Sequence, residues 1–337
     1  MPRGMVVGLV LGVIVAASWT SHWLARSETA VEEFTLVADP VPQAVHVRTW
    51  RSSPSIVSRI EDERVFEAAG SAIHAGGLFV LDWRDQAVKR FSLSGELTAV
   101  ARMESDRFSP DAYPSDFDIS PSGEIYLAYP KLQSIRVYGE DGKLLRSLLL
   151  PKAPHRIALL SDSEFVIMTG RLDNFLFHRF SVDGQFLSSF GRLVDGIQHP
   201  LPLDGWIASD AQGGLIFASF HSGLLARFDA TTGSRQFLVE GIRRGPLPSV
   251  MVASSGRRRV KPGSPFYSLA VSVDGNEIYV LCDRDRLYSQ RTLDVYDLRD
   301  GRYLWSTQLQ EPLSHAVVRG GLLFGGTRSR LSIWRLH

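Results

Sequence analysis

Cysteine is almost missing from this chain: among 337 residues there is one, Cys282. A single thiol can form no intrachain disulfide and no CxxC pair, and its place inside an apolar, β-rich run reads as a small buried hydrophobe. The nine histidines show no HxxxH spacing. No GxGxxG or phosphate loop follows a strand-like run, and no GxSxG elbow occurs, so dinucleotide folds, P-loop enzymes and α/β-hydrolases are excluded. An excess of charge of one sign is also missing. Lys and Arg total 37 against 36 for Asp and Glu, a net charge of +1, which gives no bulk drive toward nucleic acid. Long helical periodicity is absent after residue 27, where apolar runs are short, β-branched or aromatic, and bounded by Gly and Asp.

What the chain has is one unit written six times. Apolar runs at 78–81, 125–128, 165–168, 215–218, 278–281 and 322–324 are each followed by a second run, at 88–91, 135–138, 177–180, 225–228, 293–296 and 331–334. Five copies then reach a turn: Ser94-Gly95, Asp141-Gly142, Asp183-Gly184, Thr232-Gly233 and Asp300-Gly301. A spacing of roughly 40–60 residues is that of a four-stranded propeller blade, which can bury its two faces only against its neighbours. Aromatics recur at one blade position (Phe91, Tyr138, Phe180, Phe228, Tyr296, Trp334), as packing between blades requires. The last copy ends at His337 after its third strand, so the ring calls for an N-terminal strand, 34–37 or 45–47, to complete it. The expected fold is therefore an all-β six-bladed β-propeller over 65–337, with 28–64 as linker and ring-closing strand.

Residues 1–27 differ from the rest. A basic start at Arg3 precedes an apolar run over 4–24, which fits a spanning helix if counted to Leu24 and a signal peptide if only its dense part is counted. No cysteine follows it, which excludes a lipoprotein anchor. Trp23 beside Arg26 suits an interfacial position in a transmembrane anchor. Either reading places the propeller outside the cytoplasm, membrane-anchored or released as a periplasmic or secreted protein.

The segments Ser120-Pro121-Ser122-Gly123-Glu124-Ile125-Tyr126 and Ser272-Val273-Asp274-Gly275-Asn276-Glu277-Ile278-Tyr279-Val280, with the strand-turn runs 135–142 and 177–184, resemble the six-bladed propellers of the NHL and TolB-like group. The resemblance covers about 65–337 and is to a fold signature. It implies a scaffold, sensor, lactonase or lyase without choosing among them.

Three sets of residues could carry chemistry on the face shared by the loops into the inner strands and the loops between second and third strands. Arg243, Arg244, Arg257, Arg258, Arg259 and Lys261 fall in one long insertion, and convergent guanidinium groups hold carboxylate or phosphate. His155 and His315 open the inner strands of the third and sixth units, where lyases of this fold hold a metal through channel-mouth histidines. Asp116, Asp118, Asp204 and Asp210 lie near inner strands of units two and four, but the matching positions elsewhere lack the oxygens a calcium site of the lactonase kind requires. Asp118 and Asp210 are expected to cap turns. No catalytic constellation and no cofactor emerges. The expected function is a scaffold binding a protein or an anionic small molecule, with a metal-assisted lyase or hydrolase as the alternative.

Overall fold

The computed structural model describes residues 28–45, 47–60, 68–103, 112–169, 174–194, 201–282, 291–327 and 330–337. Residues 1–27, on which the anchor or signal reading falls, lie outside them. Among the described residues no helix is long and apolar enough to cross a membrane.

Among the described residues the chain forms six four-stranded antiparallel sheets, numbered I to VI here, and one three-stranded sheet. Sheet I comprises Ala68–His74, Gly77–Asp82, Ala87–Ser92 and Leu97–Arg102, and sheet II Asp116–Ile119, Ile125–Tyr129, Ser134–Tyr138 and Leu144–Leu149. Sheet III comprises Pro154–Leu159, Glu164–Thr169, Phe177–Ser181 and Phe186–Phe190. Sheet IV follows with Gly205–Ser209, Gly214–Ser219, Leu224–Asp229 and Arg235–Glu240. Sheet V runs Ala270–Asp274, Glu277–Cys282, Thr292–Asp297 and Tyr303–Gln308, and sheet VI contains His315–Arg319, Leu322–Thr327 and Arg330–Arg335. The six apolar runs of the sequence are the second strands, buried on both faces, and the runs that follow them are the third.

Burial explains the arrangement. The core divides into six clusters, each shared by two neighbouring sheets. Phe79, Leu81 and Val88 of sheet I pack with Phe117, Leu127 and Tyr138 of sheet II, and Phe177 and Phe190 of sheet III with Phe217 and Phe228 of sheet IV. The stack returns on itself, because Leu78, Val80 and Phe91 of sheet I also pack with Phe324, Leu331 and Ile333 of sheet VI. This is a propeller. The recurrent aromatics, including Phe91, Phe180 and Trp334, are fully buried in it, each fully buried large side chain contributing about 1.5–3 kcal/mol.

The five turn glycines do two jobs. Gly95, Gly142, Gly184, Gly233 and Gly301 all have φ between 72° and 92°, a region costly to residues with a side chain. Each also rests on the outer strand of the preceding sheet. A Cβ on Gly142 would lie 2.8 Å from the Ala101 Cα, one on Gly233 2.8 Å from the Phe190 Cβ, and one on Gly301 2.8 Å from the Phe237 ring. On Gly95 it would stand 3.1 Å from Ile60, which ties sheet I to the N-terminal part of the chain.

That N-terminal part completes sheet VI, by a different strand from the one expected. Ser55–Ile60 pairs antiparallel with Arg330–Arg335, from Ser55 opposite Arg335 to Ile60 opposite Leu331. Neither 34–37 nor 45–47 takes this place. The reason is local: Pro40 and Pro42 interrupt that stretch and donate no N–H, whereas 55–60 contains no proline and pairs along its length with one bulge at Val57.

Residues 34–45 and 47–52 instead form a strap along the outer rim. Val37 N donates to Leu193 O at 3.0 Å beyond the end of sheet III, and Val41 N to Leu238 O at 2.9 Å on the edge of sheet IV. Arg51 N donates to Ser306 O and Ser306 N to Thr49 O, both at 2.8 Å, on the edge of sheet V. Two side chains pin the strap: Gln43, which donates to Gly301 O at 2.9 Å and accepts from Tyr303 N at 2.8 Å, and Arg48. Arg48 donates through Nε and Nη2 to the two carboxylate oxygens of buried Asp294, at 2.8 and 2.9 Å. Asp294 also accepts from the Cys282 thiol at 3.0 Å, which fixes the single cysteine in the core; burial pushes that thiol well above its usual range.

Candidate functional site

The first strands of all six sheets line a central channel of about 590 Å³, within the size range of ligand pockets. Ser71, Asp118, Leu159, Ala208, Ser272 and Val317 contribute one wall each. On the first strand of sheet II, side chains alternate between the two neighbouring sheets. Phe117 and Ile119 are buried toward sheet I, so Asp116 and Asp118 face sheet III. There Asp116 accepts from Ile157 N at 3.0 Å, and Asp118 from Leu159 N at 2.8 Å. Asp118 also accepts from Ile119 N. Burial raises both carboxyls, Asp116 to about 6 and Asp118 to about 7. The Arg156 charge and backbone donors hold Asp116 down in part; backbone donors do the same for Asp118, which the neighbouring Asp116 raises further.

Asp118 is thus not a local turn cap as expected: its second partner lies in the next sheet. Asp210 does cap a turn, accepting from Gln212 N at 2.7 Å and Gly214 N at 2.8 Å, and its other oxygen takes Arg227 Nε at 2.9 Å. Asp204 accepts from Gly205 N at 2.8 Å. Ser272 uses its hydroxyl as Asp118 uses its carboxylate, accepting from Val318 N of sheet VI at 3.1 Å.

His315 lines the channel and is 4% exposed. Its Nδ1 meets Ser71 Oγ at 3.1 Å, while Nε2 is buried without a hydrogen-bond partner among the described residues. Burial lowers its pKa to about 4, so the ring is neutral at pH 7. His155 does not line the channel; its carbonyl accepts from Ser115 Oγ at 2.8 Å. The two histidines are therefore not brought together around the channel. Of the others, His74 lines the channel and His221 Nδ1 donates to Pro265 O at 2.9 Å. Among the described residues no three His, Cys, Asp or Glu side chains are grouped to hold a metal ion.

Sequence reasoning passed over Arg156. Its guanidinium lies 4.1 Å from the Trp206 ring centre and 5.6 Å from that of Phe220. It donates to the carbonyls of Gly205 at 3.3 Å, Ser115 at 3.3 Å and His155 at 3.1 Å. A planar cation stacked on aromatics and bonded to carbonyls of three sheets is a clamp. The only signal for it in the chain is an aromatic pair one repeat later.

The basic insertion is a β-hairpin. Val250–Ala253 pairs with Arg258–Val260 around a turn at Gly256, and Glu28–Glu32 adds the third strand. Arg258 is ion-paired with Glu32 at 3.2 Å, and Arg244 with Glu240. Arg243, Arg257, Arg259 and Lys261 are exposed, and none of the six basic residues lines the channel.

No family model matches the chain, and no curated protein matches it in sequence. Solved structures do resemble it. The U3-55K structure aligns with 12% identity over 84% of this chain and 100% of that one, at a TM-score of 0.57. The RRP9 WD40 repeats align with 12% identity over 85% and 99%, at 0.55. Virginiamycin B lyase from Staphylococcus aureus aligns with 12% identity over 83% and 99%, at 0.54. At such identities the likeness shows the β-propeller fold alone.

Proposed function

We propose that this chain is a six-bladed propeller, of the NHL and TolB-like kind, serving outside the cytoplasm as a ligand- or protein-binding scaffold. Residues 1–27 hold it at the membrane or are removed on export. One observation carries the scaffold reading: the polar side chains around the channel are bound into the ring. Asp116, Asp118, Ser272 and His315 each bond a neighbouring sheet, and Arg156 clamps three. Groups so engaged build a rigid frame around a 590 Å³ recess, which suits preorganised binding. Arg257 and Lys261, exposed on the hairpin and outside the channel, would offer their charge to carboxylate or phosphate on a bound partner. The WD40 likeness agrees with a protein-binding scaffold, while the lyase likeness keeps the metal-assisted enzyme as the second reading.

Metal analysis of the purified full chain separates the two. Absence of zinc and calcium is the result expected of the scaffold, and stoichiometric metal would overturn it in favour of the enzyme. A C-terminal reporter active only in the cytoplasm should stay silent; activity would refute the placement.

A further inference from the structure

An outer strand at the end of a sheet presents unpaired N–H and C=O groups, and proteins usually cover it, shorten it or place charge on it. The rim of this ring treats its outer strands unequally. The strap lies along the edges of sheets IV and V, and Ser55–Ile60, the outer strand of sheet VI, carries exposed Arg59. On sheet III the outer strand is five residues long, and the strap crosses just past it at Leu193. On sheet I the outer strand ends with exposed Arg102.

Sheet II has no cover, no outward charge and a full-length outer strand; like the outer strands of sheets I, III, IV and V, it carries a bulge at its second residue, here Leu145. Its outer strand, Leu144–Leu149, ends the sheet order, and no described strand pairs with its free side. Its one charged residue, Arg146, is turned to Glu124, which it grips with two bonds at 2.8 and 2.7 Å. Leu148 is buried against the turn of sheet III. What remains outward is Leu144 at 37% exposure, Leu145 at 52%, Ser147, and Leu149 at 79%.

We infer that this edge pairs with the same edge of a second copy of the chain, antiparallel, on a twofold axis through Ser147. The sequence is self-complementary about that residue. Opposite residues of an antiparallel pair share one face of the sheet, so an axis at an outward residue sets outward residues against each other. An axis at Ser147 leaves the small hydroxyls at the centre and brings Leu149 of each copy against the bulged Leu145 of the other. No charge is buried, since both Arg146 side chains stay with their own Glu124. The contact is isologous and closes at two copies, so it makes dimers and not fibres. Backbone pairing along an outer edge is what this chain already does within itself, where the strap bonds the edges of sheets IV and V.

The axis makes a positional prediction. Cα atoms directly opposite each other stand about 4.5–5.5 Å apart, inside the range a disulfide can bridge, and the native Cys282 is buried. In the full chain under mild oxidation, Ser147→Cys should give a covalent dimer. Leu145→Cys and Leu149→Cys should each dimerise poorly alone, yet cross-link when mixed. Unmodified protein should sediment as a dimer, and Leu149→Lys as a monomer with unchanged melting. Because the pattern is specific to position, association through residues 1–27 would not reproduce it. Equal cross-linking at all three positions would overturn the proposal. So would a monomer that fails to link at Ser147→Cys, whether the edge is bare or taken by another protein's strand.

Discussion

Replacing Arg48 by Met should unlatch the strap. Asp294 is fully buried and Arg48 is 8% exposed, and their two charge-assisted bonds are 2.8 and 2.9 Å long. The partners lie 246 residues apart, so the pair joins the N-terminal strap to the core of sheet V. Removing only the guanidinium leaves a buried carboxylate with Ser306 and Cys282 as its remaining partners. Breaking a buried pair in this way costs about 3–5 kcal/mol, on the order of 10 °C in melting temperature for a chain of this size. Two measurements separate this mechanism from general damage. Limited proteolysis should cut the variant within the strap before the ring is attacked. The double variant Arg48→Met with Asp294→Asn should recover part of the loss, because the neutral amide still bonds and no longer needs a counter-charge. Arg302→Ala is the control: its contact with Asp297 is 3.8 Å long and its side chain 62% exposed, so it should shift melting very little. If Arg48→Met melted as the unmodified protein does, the strap would be an ornament on the ring and the argument from burial would fail.

Gly142→Ala forces a positive φ on a side chain and drives its Cβ to 2.8 Å from the Ala101 backbone, so urea unfolding should show a loss of about 2–4 kcal/mol. Gly213→Ala has a similar φ with nothing within 4 Å and should lose only about 1–2 kcal/mol; equal losses would remove the inter-sheet role of the turn. Deleting residues 28–60 removes the outer strand of sheet VI, and circular dichroism should show loss of cooperative melting, whereas an intact transition would refute closure by Ser55–Ile60. Asp116 and Asp118 bind protons more tightly folded than unfolded, with folded values of about 6 and about 7 against 3.8, so their contribution is full below pH 4 and is lost as pH rises to about 7. His315 works oppositely, losing stability as pH falls from 6.5 to about 4, so Asp118→Asn should tilt the profile toward higher stability at neutral pH than at pH 5; an unchanged slope would show that this carboxyl is not strained by burial.

Much of the frame could be read from the residues. Every second and third strand was visible, because those strands are buried on both faces and read as unbroken apolar runs. The turn glycines were visible as punctuation, but not their second role, which depends on the residue they touch in the preceding sheet. First strands were harder to see: DFDI and GWIAS mix polar and apolar residues because one edge faces the channel. The closing strand was expected at 34–37 or 45–47 and lies at 55–60, where Ile56 and Val57 stand side by side and blur the alternation that marks a strand.

The site was less legible for a definite reason. Asp118 is bound to the backbone of Leu159, Arg156 to carbonyls in three sheets, and Arg48 to a carboxylate 246 residues away. Backbone partners leave no mark in a sequence, because any residue supplies the same N–H or C=O. A cluster of arginines, by contrast, is conspicuous on the page even where, as at Arg244 and Arg258, each is answered by a glutamate in the fold. Arg244 and Arg258 are paired at the surface in this way, and none of the six basic residues lines the channel. The polar groups that shape the channel are single residues inside strands, and their meaning comes from the ring that surrounds them.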